Sequence, residues 1–458
     1  MKTILDYPIQ IPKDRHLKQL STVLDQDKIL KVLRKAELSD HGQLLATSYQ
    51  SHYLRYKPRL NCISVFTLEA RDKEKEKTYQ HLYYGKTYGH FPFTTISDRG
   101  PSRSFFPTDP FPPVVVLRDL KMICFAFPND RVLKSLRRLA DPRQLRRLMA
   151  RHLLKAESGE SRMPLKKIKL EPVRYVPEKR CLLRCHLSIK SHKSGEVKKD
   201  RLFIKAYSDD SSAEVYSIMK QLRPRLREKS DNKISIPKPK GFDPDLKLVI
   251  MREVPGVHLW KKAEEPGFSK AVEKSALALA TLNSIEVRTG RRFDTQNEVA
   301  ALKKQALAVA ELIPGCREQI DAILDYLYAK RPTLTNSKLF SVHGDYYHNQ
   351  ILVQNQIIYI LDFDRFHRGD PLLDVGNFLA QLRVLAQRYP SINYSETSEA
   401  FKSVYFGRLP QVYSDSRLRW YLVLAYLRLV METVCLLRPK WPELVEQLVV
   451  WAGEEAAR

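Results

Sequence analysis

Several things are scarce in this chain. No apolar run in its 458 residues approaches the roughly 18 needed by a membrane helix, so no membrane span is expected. Mean hydropathy is −0.39. The opening stretch, MKTILDYPIQIPKDR, has acid and proline where a secretory leader needs apolar residues, which points to a cytoplasmic location. Cysteine is sparse: the six, Cys62, Cys124, Cys181, Cys185, Cys316 and Cys435, are scattered without zinc-knuckle spacing. A disulfide scaffold is excluded, and reduced thiols are the expectation. Acid is short as well, with 52 Asp and Glu against 78 Lys and Arg, a net charge of +26.

The basic excess is concentrated. Between Asp130 and Lys205 there are 23 Lys and Arg against 8 Asp and Glu. Such a field favours anionic partners: nucleic acid, a phospholipid surface or phosphorylated small molecules. No nucleic-acid motif accompanies the charge, so nucleic acid is disfavoured. An acidic partner or membrane surface docking on the region 130–205 stays open, beside the plainer reading of a solvated basic face.

What is present is a two-part chain with an internal repeat. Apolar residues make up 43%, enough for a sizeable core, and the length suits two to four domains. LRYKPRLNCISVFTL (54–68) returns as VRYVPEKRCLLRCHL (173–187). Over 54–88 against 173–207 no gap is needed. Identities fall at Arg55/Arg174, Tyr56/Tyr175, Pro58/Pro177, Cys62/Cys181, Leu68/Leu187, Lys86/Lys205 and Tyr88/Tyr207. Two copies are too few for a solenoid, so a duplicated hairpin unit is the reading.

In the second copy Cys181, Leu183, Cys185, Leu187 and Ile189 alternate with more polar neighbours, which predicts a strand. KSHKSGEVKKD is then a hairpin turn and RLFIKAY (201–207) the next strand. SSAEVYSIMKQL (211–222) starts a helix, with Ser211 as N-cap and Glu214 closing a capping box. Between the copies, Asp141-Pro142 divides two helices. The second of these puts Arg143, Arg146, Arg147 and Arg151 on one face, with Leu145, Leu148 and Leu153 on or near the other.

LKLVIMREVPG (246–256) reads as a strand ending in a Pro-Gly break that would suit a connection between lobes. Helical periodicity follows at 268–287, 298–313, 317–330, 373–389, 415–438 and 443–458. Within this helical half, KLFSV and QIIYILDF read as strands, and QNQ turns a hairpin between ILV and IIYIL. The expected segments are 1–50 (helix and loop), 51–160 (a degenerate repeat plus basic helices), 161–256 (a β-rich lobe) and 257–458 (a helical lobe).

Phosphoryl transfer asks a protein for a cation on the nucleotide phosphates, oxygen ligands for magnesium, and a carboxylate to orient the attacking hydroxyl. Lys205 lies on a strand, with Glu214 on the helix that follows as its candidate partner. Asp345 lies on a loop, Gln350 ends that loop, and Asp362 closes the next strand. Each residue alone has an ordinary reading: HGD is a common turn tripeptide, and His343 suits a hydrogen-bonding brace. Their order, on fitting elements, is what speaks for chemistry.

HGDYYHNQILV with ILDFDRFHRGDPLLDVGNFLA resembles the aminoglycoside phosphotransferase and choline kinase-like family, within the protein-kinase-like fold. The likeness covers about 170–385 and reaches the first 160 residues only through the repeat. It implies an α+β bilobal fold, with a β-rich N-lobe, a helical C-lobe and an extra N-terminal α/β module resembling a duplicated N-lobe hairpin. It implies that Asp345 orients the substrate hydroxyl and that Asp362 binds magnesium. Lys205, braced by Glu214, would contact the phosphates of ATP, with GTP as the alternative donor. Asp374 would brace the catalytic loop with His343, and Asp364 and Arg365 would face substrate. The family's asparagine metal ligand is replaced by Gln350, with Asn349 adjacent.

The first copy has Thr95 where Glu214 aligns, so Lys205 rather than Lys86 is expected to be the working lysine. No glycine-rich phosphate loop is present, since SHKSGEVKKD has a single glycine. The expected activity is a small-molecule kinase. The basic charge leans the substrate away from cations, towards a neutral or anionic metabolite such as a sugar or sugar phosphate. A catalytically weak kinase fold used for binding, or a basic binder of an acidic partner, are the alternatives.

Overall fold

Long runs of alternating burial in the first half build two sheets of one design. The computed structural model describes residues 9–36, 44–90, 105–153, 165–190, 197–333 and 339–458. Two short helices, α1 (Leu20–Val23) and α2 (Gln26–Lys35), precede the first sheet. Its strands are β1 (Leu44–Lys57), β2 (Asn61–Asp72), β3 (Lys77–Tyr88), β4 (Val114–Leu117) and β5 (Met122–Ala126), in the order β1-β2-β3-β5-β4. Helices α3 (Ser135–Ala140) and α4 (Pro142–Leu153) then precede β6 (Leu165–Val176), β7 (Arg180–Lys190) and β8 (Val197–Tyr207). Helix α5 (Ser211–Lys229) and the two-residue β9 (Ile234–Ser235) lead to β10 (Pro239–Asp243) and β11 (Leu248–Arg252). The second sheet runs β6-β7-β8-β11-β10, the same order as the first.

The register repeats too. Lys86 stands opposite Ile63 and Ile123, and Lys205 opposite Leu182 and Val249. Arg59 and Glu178, at matching places in the β1–β2 and β6–β7 turns, both take the left-handed conformation, with φ of 66° and 61°. Each donates its backbone N–H to a buried aspartate: Arg59 to Asp14 at 2.7 Å, Glu178 to Asp130 at 2.9 Å. The matching tyrosines complete the unit, Tyr56 to Asp14 and Tyr175 to Asp130, each at 2.7 Å. The duplication therefore exceeds the hairpin read from the sequence: it takes in the preceding aspartate turn, two helices and all five strands. Helices α3 and α4, read as trailing the first copy, stand where α1 and α2 stand in it. They share a core with Ile63, Val65 and Phe125 of the first sheet and Leu183, Leu202 and Ile250 of the second.

Asp141 caps α4 as expected, accepting from the backbone N–H of Arg143 at 2.8 Å and of Gln144 at 3.3 Å. Leu145, Leu148 and Met149 are buried, while Arg143, Arg146, Arg147 and Arg151 face outward. Thr95, the turn 191–196 and the Leu153 side chain lie outside the described residues.

After Arg252 the chain crosses through Glu253–Gly256 into a helical lobe. Its helices are α6 (Phe268–Asn283), α7 (Thr295–Leu312), α8 (Arg317–Ala329), α9 (Leu372–Arg388), α10 (Tyr394–Arg408), α11 (Asp415–Leu436) and α12 (Trp441–Ala457). Helix α10 has little helical periodicity and was not foreseen; its Asn393 cap and buried Phe401 and Tyr405 hold it. Small strands β12 (Val257–His258), β13 (Phe340–Val342), β14 (Ile351–Gln354), β15 (Ile357–Ile360) and β16 (His367–Gly369) carry the loops of interest. The β14–β15 hairpin turns at Asn355, φ 52°, within the expected QNQ. The chain is thus an α+β protein of bilobal build, a β-rich lobe and a helical lobe, preceded by a second copy of its own N-lobe sheet. No helix among the described residues is long and apolar enough to cross a membrane.

Candidate active site

The loop after β13 is shaped before any ligand enters. Gly344 has φ +80°, and a Cβ there would stand 2.4 Å from the backbone oxygen of Arg365, so only glycine fits. Asp374, fully buried at the start of α9, accepts the backbone N–H of His343 at 2.7 Å and of Gly344 at 2.8 Å. Burial pushes its carboxyl up, against the pull of His343 and those two amides. The His343 ring meets the Leu361 carbonyl at 2.8 Å, tying the loop to the segment after β15. Asp374 and His343 thus both hold the start of the loop.

Asp345 follows, partly buried on the cleft wall. Burial raises its pKa to about 6; neighbouring Arg365 opposes the rise and Asp362 adds to it. Gln350 is 5% exposed and donates from Nε2 to Asp345 Oδ2 at 3.3 Å, whereas Asn349 is exposed. It is Gln350, not Asn349, that turns to the aspartate.

Asp362 lies past the end of β15 in a left-handed conformation, φ 63°. Lys205 Nζ on β8 bonds Asp362 Oδ1 at 2.8 Å and Asp364 Oδ1 at 2.7 Å. Burial alone would raise the Asp362 pKa, but Lys205 and then Arg180 hold it well below the usual carboxylate range. Asp364 takes two further donors, Arg180 Nη1 at 2.8 Å and Tyr207 Oη at 2.9 Å. It lines the cleft, but its carboxylate is engaged by the N-lobe. Arg365 lines the same cleft and is exposed.

One expected contact is absent. Glu214 does not pair with Lys205: it holds Arg291 Nε at 2.5 Å and accepts Thr289 Oγ1 at 2.5 Å. Two aspartates already satisfy the lysine. Arg291 in turn donates to the Asp364 backbone oxygen at 2.8 Å, so Glu214 reaches the Asp362–Asp364 segment through an arginine. The expected capping box does not form either; α5 starts at Ser211 after Asp210, without a side-chain cap.

Asp345, Asp362, Asp364, Arg365, Arg180 and Tyr207 border a cavity of about 980 Å³. Its far wall comes from β1, through His52, Tyr53 and Arg55, against Met431, Cys435 and Arg438 at the end of α11. Sequence reasoning missed Arg55, Arg180, Tyr207 and Arg291 as parts of the site. The signal for Arg55 was available, since it is one of the seven repeat identities and matches Arg174, which also lines the cavity.

An ionised carboxylate and a carboxyl titrating near neutrality thus line one cleft, with Lys205 bonded to the first and Gln350 to the second. Residues 193–399 match the model of the phosphotransferase enzyme family. No curated protein matches the chain. Among solved structures, a choline kinase from Cryptosporidium parvum Iowa II is similar at 13% identity and TM-score 0.47, over 69% of this chain and 95% of that one. A Plasmodium vivax ethanolamine kinase is similar at 12% and 0.43, over 71% and 95%. A choline/ethanolamine kinase family protein from Mesorhizobium loti is similar at 14% and 0.40, over 68% and 94%. The resemblance carried by the HGD and LDFD motifs stands, since both motifs lie within the matched residues 193–399.

Proposed function

We propose that this chain moves the terminal phosphoryl group of a nucleoside triphosphate, ATP or alternatively GTP, to a hydroxyl of a small molecule in the cytoplasm. The observation that carries this reading is Lys205 held against Asp362, which lines one cleft with Asp345. Asp345 orients the acceptor hydroxyl and takes up its proton. A bond forms between the acceptor oxygen and the terminal phosphorus. The bond to the bridging oxygen breaks, and nucleoside diphosphate leaves. Lys205 holds phosphate oxygens, and Arg180 stands beside it as a second cation.

Magnesium is the ion this chemistry calls for, and the donor set fits it. Asp362 is kept ionised and Gln350 offers an amide carbonyl, both hard oxygen ligands. The described residues contain no group of three or more His, Cys, Asp or Glu arranged to hold a metal. Magnesium, which keeps waters and leans on substrate phosphates, suits a site with so few protein ligands. When bound it would neutralise charge on the phosphates, with Asp362 and Gln350 holding it.

Thermal unfolding of wild type and Asp362→Ala with Mg-ATP and Mg-GTP tests the reading. Nucleotide at about 100 times its Kd adds roughly 2.7 kcal/mol to the folded state. The expected result is a magnesium-dependent rise in wild type that the variant loses. No rise with either nucleotide would overturn the proposal.

A further inference from the structure

Arg55 of β1 is 6% exposed, yet two of its three guanidinium nitrogens, Nε and Nη1, have no hydrogen-bond partner. Only Nη2 is used, donating to the Pro177 backbone oxygen at 3.2 Å. Buried donors left unmade are costly, and an arginine fork is among the more demanding to satisfy. This fork borders the cleft that holds Asp345 and Asp362.

The surroundings offer it cations instead of an acid. Lys179 and Arg174 line the same wall, and neither stands in an ion pair among the described residues. The Lys179 ammonium is held below its ordinary value, first by desolvation and then by repulsion from Arg55 and Lys57. The carboxylates nearby are mostly committed elsewhere. Glu432 pairs with Arg438, Glu298 with Arg428 at 2.7 Å, and Asp364 with Lys205 and Arg180. A cationic acceptor would find few free acids here. An oxyanion would find a buried guanidinium with unused N–H donors on the cleft wall, with a lysine beside it.

Resting on the phosphotransferase reading above, we propose that the acceptor is an anion: a hydroxyl compound whose phosphate or carboxylate sits on Arg55 of the N-terminal module while its hydroxyl faces Asp345. The anionic group undergoes no bond change; it fixes the acceptor. The duplicated sheet is then part of the acceptor site, not a distant support, and Arg55 is a substrate-binding residue.

The test uses the full chain, with Arg55→Met to remove the charge and Arg55→Lys to keep it without the fork. In the first arm, inorganic phosphate is titrated in the presence of a saturating non-hydrolysable Mg-ATP analogue, so that the nucleotide site is filled. Phosphate should raise the unfolding temperature of wild type, raise that of Arg55→Lys less, and leave that of Arg55→Met unmoved. The nucleotide's own shift should be the same in all three. In the second arm, turnover is measured on matched triplets, glycerol with glycerol 3-phosphate and glycerate, and glucose with glucose 6-phosphate and gluconate, beside choline.

Turnover should favour an anionic member, and which one decides between phosphate and carboxylate. For that member Arg55→Met should raise KM about a hundredfold with kcat within about threefold. Loss of the nucleotide shift in a folded Arg55→Met would place Arg55 in the nucleotide site and overturn the proposal. So would turnover confined to neutral or cationic acceptors, or phosphate binding unchanged in Arg55→Met, while the phosphotransferase reading stood. Absence of any nucleotide shift in wild type would strike that reading instead.

Discussion

The two N-lobe copies share a skeleton and differ in what faces their lysines. Both have the tyrosine–aspartate bond, the left-handed turn residue and the same strand order. On β3, Lys86 meets Glu178 of the neighbouring copy at 2.6 Å. On β8, Lys205 meets Asp362 and Asp364 of the C-lobe. One ion pair joins sheet to sheet; the other joins sheet to a site. The repeated frame fixes where a lysine stands, and the partner decides whether it joins sheet to sheet or sheet to C-lobe.

Exchanging the charges breaks this contrast most sharply. Lys205→Met should lower kcat/KM at least about a hundredfold, as loss of a preorganised group on transferring phosphate does, while Lys86→Met stays within about threefold. Steady-state kinetics on the two variants checks it, and a comparable loss in Lys86→Met would sink the distinction.

The next effect lies at Asp345. Its pKa of about 6 predicts a kcat that rises as pH passes through 6 and the carboxylate forms. The sign for stability is opposite. The folded-state pKa lies above the ordinary 3.8, so the folded state binds the proton more tightly and loses this contribution as pH climbs from about 4 to about 6. Asp345→Asn should therefore be inactive, and should gain stability over wild type above pH 6 but not at pH 4. Denaturant midpoints at the two pH values measure it; an equal gain at both would refute the assignment.

A smaller effect belongs to the staple. The Lys86 and Glu178 side chains are 15% and 13% exposed. Lys86→Met should cost on the order of 2 kcal/mol by leaving Glu178 with only the longer Arg131 ion pair, at 3.7 Å. The smallest tests the shared frame. Tyr56→Phe and Tyr175→Phe should each cost about 1–2 kcal/mol, and by similar amounts, since each removes a hydroxyl donor to a buried carboxylate. Unequal costs in urea unfolding would show that the copies have diverged in their skeleton as well.

Legibility followed the chemistry of each signal. The β2–β3 and β7–β8 hairpins were visible because a constant offset and period-2 alternation survive in them. That β10 and β11 repeat β4 and β5 was missed because the offset changes after β3. Yet Asp119-Leu120-Lys121 before β5 matches Asp245-Leu246-Lys247 before β11, and Lys121 and Lys247 are both left-handed, with φ of 46° and 54°. That tripeptide was the available signal. At the site, Asp345, Gln350 and Asp362 were legible from motif order. The Glu214–Arg291 and Lys205–Asp364 pairs were not, because spacing along a chain does not tell which of several carboxylates comes nearest a given cation.

The docking of β1 on α11 bears on how the molecule comes together. The wall carrying Arg55 faces Cys435 at the end of α11, and Trp441 closes on the Gln10 backbone oxygen, 431 residues away. During synthesis both sheets can fold, each from local hairpins, well before α11 leaves the ribosome. Until then the wall that carries Arg55 lacks its α11 side. Contacts this distant in sequence form slowly and late, so the sheet side of the cleft should be assembled before its α11 side.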